Sequence, residues 1–364
     1  MKLKRFLQAF GLLAVLLSLF PLVASDYWWI RMFDFPHVQL TTLTFLALLI
    51  YFIRFEFRNW RDYVFVLILS ACFVFQLVKI YPYTPLAAVE VLENRNQDPK
   101  NVLSLLASNV LQKNKQYHRV IDEVLTRDPD LLIFTETDQK WRDELSKGLK
   151  GFGYDYRLEE PLDNTYGMLL YSRLPLLDPK VRYLIEDSIP SMSSRLRLPS
   201  GALVQLHILH PTPPMPPHDA TSTSRDAQMM MIAEEARKTE LPVIVAGDFN
   251  DVAWSETTRL FRKASTLLDP RIGRGFFNTY NANSLPFRWP LDHIFVSEDF
   301  RLVEIELGHD LESDHFPLYV KLSLEPEHGE PQEAKEPSFE EKKEAREQIE
   351  NGKEKAASNP EAGL

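Results

Sequence analysis

Hydrophobic residues are spread unevenly along the chain. Three long apolar stretches come first, roughly Phe6–Ala24, Val38–Phe55 and Tyr63–Ile80, with charges only near their ends. Each approaches the ~20 residues that cross a bilayer as a helix. From Asn101 the pattern changes. Short apolar runs, the mark of buried strands, alternate with segments whose apolar positions recur at helical spacing. From Glu325 to the C-terminus almost no apolar residues remain. The pattern divides the chain into a membrane anchor (1–82) with about three transmembrane helices, a linker (83–100) containing prolines and polar residues, a folded domain (101–324) and a disordered Glu/Lys-rich tail (325–364) that cannot bury enough surface to fold alone and is at most transiently helical over Glu340–Lys355 through Glu/Lys pairs.

Within the domain, strands are predicted at Val102–Asn109, Leu131–Thr135, Gly167–Ser172, Ser194–Leu198, Ala202–Leu209, Leu291–Val296 and Leu318–Leu324, with a hairpin at Pro199-Ser200-Gly201. Helices are predicted at Gln116–Thr126, Trp141–Leu149, Arg225–Lys238 and Ser255–Lys263. The clearest strand is Val243-Ile244-Val245-Ala246-Gly247-Asp248-Phe249-Asn250-Asp251. Alternation of side chains along a strand points Asp248 and Asn250 the same way. Gly247 removes a side chain where another backbone or a ligand must come close.

Charge refines the division. The chain carries a net charge of -10, the tail having 12 glutamates against 6 lysines and arginines. Residues 1–90 hold 8 basic and 5 acidic side chains, which leaves the middle at -7. An acidic domain is unsuited to coating DNA non-specifically, since that requires many cations to displace counterions. Lys2, Lys4 and Arg5 precede the first stretch, and Arg54, Arg58 and Arg61 lie between the second and third. The positive-inside rule keeps both segments in the cytoplasm and sends the domain outside. Val23-Ala24-Ser25 would suit cleavage if the first stretch were a signal peptide. The domain would still lie outside. The single cysteine, Cys72, permits no intrachain disulfide.

Polar residues collect at the predicted strand ends: Asn109, Glu136, His210, Asp248, Asn250, Asp292, Asp314 and His315. Glu136, Asp248 and Asp314 are hard oxygen donors of the kind Mg2+ prefers, with Mn2+ the alternative. Asn109 and Asn250 add carboxamides able to meet phosphate oxygens. The histidines titrate near neutrality and suit proton transfer. Hydrolysis of a phosphate ester needs a base for water, a metal clamp on the phosphoryl oxygens and stabilisation of the leaving oxygen.

At this point the sequence resembles the endonuclease/exonuclease/phosphatase superfamily. The matching pieces are Ser108-Asn109-Val110, Phe134-Thr135-Glu136, Tyr171-Ser172-Arg173-Leu174-Pro175, the strand end at His210, Gly247-Asp248-Phe249-Asn250, Leu291-Asp292-His293-Ile294-Phe295 and Ser313-Asp314-His315-Phe316-Pro317. They follow the family order from about Asn101 to Leu324. The resemblance implies an α/β (α+β) four-layer αββα sandwich and a divalent metal, with Glu136 the main metal ligand and Asn109 and Asp314 beside it. It implies that Asp248 aligns or deprotonates the attacking water and that Asn250 contacts the phosphate. His315, oriented by Asp292, would be general base or phosphate contact, and His210 would contact the phosphate or assist the leaving group. Many relatives have Asp-Tyr where this chain has Asp292-His293. His293 alternates away from Asp292 and is read as structural, as is His207. Arg173, Arg195 and Arg197 are read either as phosphate contacts or as ordinary surface arginines.

These readings describe a membrane-anchored, metal-dependent phosphoesterase acting outside the cytoplasm on nucleic acid or on a phospholipid headgroup, with no protein partner. Tethering favours lipid by raising local concentration. The alternative is a non-catalytic, membrane-tethered binding module on the same fold.

Overall fold

A computed structural model of the chain describes residues 2–23, 26–95, 98–216, 218–326, 332 and 334–358. The cleavage reading at Ala24-Ser25 falls outside them, as do parts of the linker (96–97) and of the tail. The apolar N-terminal region forms α1 (Lys2–Leu19), the short α2 (Trp28–Arg31), α3 (His37–Tyr51) and α4 (Trp60–Ile80). Among the described residues, two helical segments, His37–Arg54 and Trp60–Tyr83, are long and apolar enough to cross a membrane. Only 33% and 28% of their residues are buried in the protein, so their outer faces are not those of core helices. The first expected span, Phe6–Ala24, is not among them: Lys2, Lys4 and Arg5 occupy the start of α1, leaving a short apolar remainder. The three long helices pack around Ala14, Ala47 and Leu69.

The remainder is a sandwich of two mixed sheets. In chain order it comprises β1 (Val102–Asn109), α5 (Tyr117–Arg127), β2 (Leu131–Thr135), α6 (Gln139–Gly148), β3 (Tyr156–Glu160), β4 (Met168–Ser172), β5 (Leu176–Tyr183), β6 (Pro190–Arg197), β7 (Leu203–Leu209), α7 (Thr223–Lys238), β8 (Val243–Asp248), α8 (Glu256–Ser265), β9 (Asp292–Val296), β10 (Phe300–Leu307), β11 (Leu318–Leu324) and α9 (Phe339–Ser358). One sheet has the order β10-β11-β1-β2-β4-β3, the other β5-β6-β7-β8-β9. β3, β5 and β10 escaped the sequence reading because their residues are partly exposed and mix charges with apolar positions.

Strand alternation sorts the apolar residues into layers. Leu103, Leu105 and Ala107 of β1 and Ile244 and Ala246 of β8 face the core between the sheets. Leu106 of β1 meets α5 and α6 through Val120, Trp141 and Leu145. Val243 and Val245 of β8 meet α7, α8 and α9 through Met229, Phe261 and Ile349. The four-layer expectation holds.

Two expectations outside the sandwich do not. The tail forms α9, which lies on α7: Gly352 stacks so closely on Ala227 that an added Cβ would come within 2.2 Å of the alanine Cβ. Ala345 and Ile349 are buried, and Lys355 donates to Thr221 Oγ1 at 2.8 Å. Few apolar residues suffice because α7 presents a prepared surface. The linker is likewise packed: Val91 is in the core, Glu93 pairs with Leu302, and Glu90 meets Arg262 at 2.6 Å.

Candidate active site

The inward-facing rows of the two sheets do not stop where the apolar core stops. In β1 the row Leu103, Leu105, Ala107 ends on Asn109; in β7, Leu206 and Ile208 lead to His210; in β8, Ile244 and Ala246 lead to Asp248; in β9, Asp292 precedes Ile294 and Val296. Pairing brings these ends together. β1 and β2 run parallel with Asn109 opposite Thr135, and β7 and β8 run parallel with Leu209 opposite Gly247. β9 runs antiparallel to β8 with Asp248 opposite Asp292, and β11 starts opposite Ala107. One end of the sandwich is therefore polar, at the carboxyl ends of parallel strands where sites in such sheets form.

Asn109 is the hub. Its Nδ2 donates to Glu136 Oε1 at 2.9 Å and to Asp248 Oδ2 at 3.0 Å, while its Oδ1 accepts from the Leu111 amide at 3.0 Å. Glu136 sits past β2 with φ 58°, a left-handed conformation that turns a side chain otherwise bound for the helix face back towards the mouth. The Gln112 amide donates to its Oε2 at 3.3 Å. Asp248 Oδ2 is also 3.8 Å from His210 Nε2 and 3.7 Å from His315 Nε2. His315 Nδ1 is 2.7 Å from Asp292 Oδ2. Asp314 reaches the same region: the Glu136 charge acts on its carboxylate, and its buried Oδ1 has no hydrogen-bond partner among the described residues. Asn250, with φ 51°, donates its Nδ2 to Pro211 O at 2.9 Å and its amide to Asp248 Oδ1 at 2.9 Å. It thereby ties the loop after β8 to the loop after β7. One of its two side-chain N–H groups is used in that tie.

The electrostatics follow from burial among carboxylates. Burial alone pushes the His315 imidazole down, but Asp292 and Asp248 outweigh it and hold it up to about 10. Burial raises the Asp292 carboxyl, yet His315 and its hydrogen bond bring it below the ordinary range. Burial keeps Asp248 above that range, against the pull of His315. Burial likewise raises Asp314, opposed by His315 and reinforced by Glu136.

Several participants were not legible in the sequence. Tyr166 lies with its ring 5.4 Å from that of His210 and its hydroxyl 3.0 Å from His218 Nδ1. The Tyr280 ring is 5.0 Å from that of His315. Thr279 Oγ1 accepts from the Asp292 amide at 3.2 Å. Arg225, wholly buried, donates to Asn250 O at 2.8 Å and pairs with Asp226 and Asp251. Nothing in local spacing marks them, because each reaches the site from an irregular segment or a helix start. The segment between α1 and α3 also braces the mouth: Trp28 N bonds to Ala220 O at 3.0 Å, Trp254 Nε1 to Asp34 O at 2.7 Å, and Phe35 packs on Trp289. The three arginines singled out in the sequence lie elsewhere. Arg173 pairs with Asp128, Arg195 with Asp178, and Arg197 stands near the opposite end of β6.

His293 faces the outer layer as its alternation requires. It lies against Phe249 and Phe295, with Nδ1 2.6 Å from Arg271 and Nε2 2.9 Å from Asp251 O. Burial, then Arg271, lowers its pKa to about 3. Unfolding restores the ordinary value near 6.5, so the unfolded chain binds the proton first as pH falls. The stability contributed by the neutral ring is complete above pH 6.5 and is lost progressively towards pH 3. In His293→Gln the decline of unfolding free energy with acidification is shallower than in the wild type by about 1.4 kcal/mol per pH unit between pH 6 and 4. Urea titrations of the detergent-solubilised chain at several pH values read this slope; identical slopes would refute it.

The sequence profile of the endonuclease/exonuclease/phosphatase family matches residues 101–315. The chain belongs to this family. It is also similar to the UPF0294 protein of Vibrio cholerae serotype O1, 27% identical over 258 residues that cover 66% of this chain and 84% of the relative. Among solved structures, the human Nocturnin catalytic domain with bound sulfate anion superposes with a TM-score of 0.51 at 18% identity, covering 62% of this chain and 95% of that one. D. rerio TDP2 complexed with single strand DNA product gives 0.51 at 17% identity, covering 61% and 99%. An endonuclease/exonuclease/phosphatase from Beutenbergia cavernae gives 0.50 at 16%, covering 62% and 72%.

The endonuclease/exonuclease/phosphatase members are phosphoester hydrolases that generally use divalent metals. Two groups of donors in this member bear on a metal. Asp248, Asp292 and His315 place one ligand atom each within 4.8 Å of one another, compactly enough for an ion. However, Asp292 and His315 already satisfy each other through a 2.7 Å bond. The other group is the pair of hard oxygen donors Glu136 and Asp314, which interact electrostatically; the buried Asp314 Oδ1 has no hydrogen-bond partner among the described residues.

Proposed function

We propose that this chain is a membrane-anchored, divalent-metal-dependent phosphoesterase whose domain lies outside the cytoplasm. The observation that carries the reading is the Asn109 hub, which links the Glu136 carboxylate to Asp248 while Asp248 faces both His210 and His315. Glu136 and Asp314, with Asn109 adjacent, would hold Mg2+ or Mn2+. A bound cation would neutralise phosphoryl oxygen charge. Asp248, its carboxyl raised by burial, is suited to align the attacking water and take its proton. His315, kept cationic by Asp292, is suited to donate from Nε2 to a phosphoryl oxygen. His210 stands across Asp248 from it, where it can serve the leaving oxygen. The membrane reading is supported by placement. Arg54, Arg58 and Arg61 lie at the ends of α3 and α4 remote from the domain, whereas the segment before α3 and the end of α4 contact it.

The full chain in detergent is expected to hydrolyse bis(p-nitrophenyl) phosphate only with Mg2+ or Mn2+, to lose the activity in EDTA and to regain it on re-addition. Glu136→Ala lowers the rate at least ~100-fold, in keeping with the several kcal/mol that a metal clamp supplies. A chain that binds Mg2+ by calorimetry yet turns over neither monoester nor diester would be the tethered binding module instead.

A further inference from the structure

The loop between the site and the anchor carries an apolar tip with no role in the catalytic arrangement. Leu285 is 82% exposed and Phe287 54%, against 51% for Met215 and 45% for Phe152 elsewhere in the domain. The tip is tied to the membrane-spanning region itself: Gln39, in the first turn of α3, donates its side chain to Pro286 O at 2.7 Å. The tip therefore stands level with the end of a candidate span. Trp29 and Met32 are exposed in the segment between α1 and α3, and Tyr81 and Leu86 just after α4. Aromatic and apolar side chains ringing helix ends form the belt expected at a bilayer surface. An exposed apolar patch continuous with such a belt fits lipid better than a protein partner. The tip is also shaped. Arg288 lies over the Phe316 ring at 4.9 Å and donates to Ser284 O at 2.8 Å and Ala282 O at 3.1 Å.

The same loop leads inward. Phe287 lies 6.2 Å from Trp289, Trp289 stacks on Tyr280 at 6.2 Å, and Tyr280 meets His315 at 5.0 Å, ring centre to ring centre. A row of aromatic faces thus runs from the bilayer level to the catalytic histidine. We propose that Leu285 and Phe287 enter the leaflet of the membrane that anchors the chain, and that the substrate is a phosphate ester on the headgroup of a lipid in that membrane. The substrate assignment rests on the phosphoesterase reading above; the insertion of the tip does not.

The test uses the full chain reconstituted in phosphatidylethanolamine–phosphatidylglycerol vesicles with headgroup-labelled lipid. Bis(p-nitrophenyl) phosphate and the deacylated glycerophosphodiester serve as soluble arms. Wild type is expected to release headgroup with Mg2+ and to act poorly on the deacylated diester. Leu285→Ser with Phe287→Ser lowers vesicle hydrolysis about tenfold or more, while the bis(p-nitrophenyl) phosphate rate stays within about twofold. Equal vesicle activity in the double variant overturns the proposal. So does wild-type turnover of the soluble esters alone. A second measurement is independent of catalysis. In a Cys72→Ser background, a fluorophore on Leu285→Cys is expected to be quenched by lipids spin-labelled near the headgroup. Absence of quenching refutes insertion whether or not any ester turns over, whereas quenching without turnover of any ester keeps the tip and removes the phosphoesterase.

Discussion

His315→Ala lowers phosphodiester turnover about 1000-fold, within the range found for positioned acid–base groups. The imidazole is fixed by a 2.7 Å bond to Asp292 and faces Asp248 at 3.7 Å. The loss falls mainly on kcat, because the proton it holds matters most where charge develops on the phosphoryl oxygens. Asp292→Asn keeps the shape but removes the charge that holds His315 up to about 10. Its loss is smaller, and the acidic form of His315 disappears at lower pH. Rate profiles for both variants between pH 5 and 10, with folding checked by circular dichroism, test the assignment. A His315→Ala rate within about threefold of wild type would remove His315 from the chemistry.

Gly247→Ala is expected to damage stability and site together. Gly247 has φ 138°, outside the regions that L side chains favour, and an added Cβ would sit 2.0 Å from the Leu209 carbonyl oxygen. Leu209 pairs with Gly247 across the parallel β7–β8 junction, and the next residues on the two strands are His210 and Asp248. Relief of the clash must separate these strands at the point where their side chains meet. Backbone strain and overpacking together cost more than about 3 kcal/mol. For a domain of this size that lowers Tm by about 6–12 °C. The folded fraction also loses turnover, since the 3.8 Å approach of His210 to Asp248 cannot survive. Unchanged Tm in thermal scans with and without Mg2+ would show that the junction tolerates a side chain.

Much of the site was readable because it is an extension of strand periodicity. Asn109, Asp248 and Asp292 prolong inward rows that are apolar up to the strand end, and polar residues at such ends are poorly explained by packing. The same periodicity assigned His293 and His207 to the outer face, where the former meets Phe295 and the latter lies 3.8 Å from Glu235 of α7. Tyr166, Tyr280, Thr279 and Arg225 were not readable, because irregular backbone and a helix start deliver them and no period applies there. α9, expected only as a transient helix over Glu340–Lys355, was missed as a docked element for a related reason. Its Glu- and Lys-rich sequence lacks a core of its own, and it is held where Gly352 and Ala345 fit the surface of α7.

By itself, the sequence determined most of the strands and helices and the layer that residues such as Asp248, His293 and His207 face, through short-range alternation, while the ordered motifs at strand ends carried the resemblance to the family. Tertiary structure alone decided that the segment between α1 and α3 braces the mouth, that the tail docks on α7, and that Asn109 joins Glu136 to Asp248. Those contacts join residues remote in sequence. Their formation depends on how whole sheets and helices stack, which no local pattern encodes.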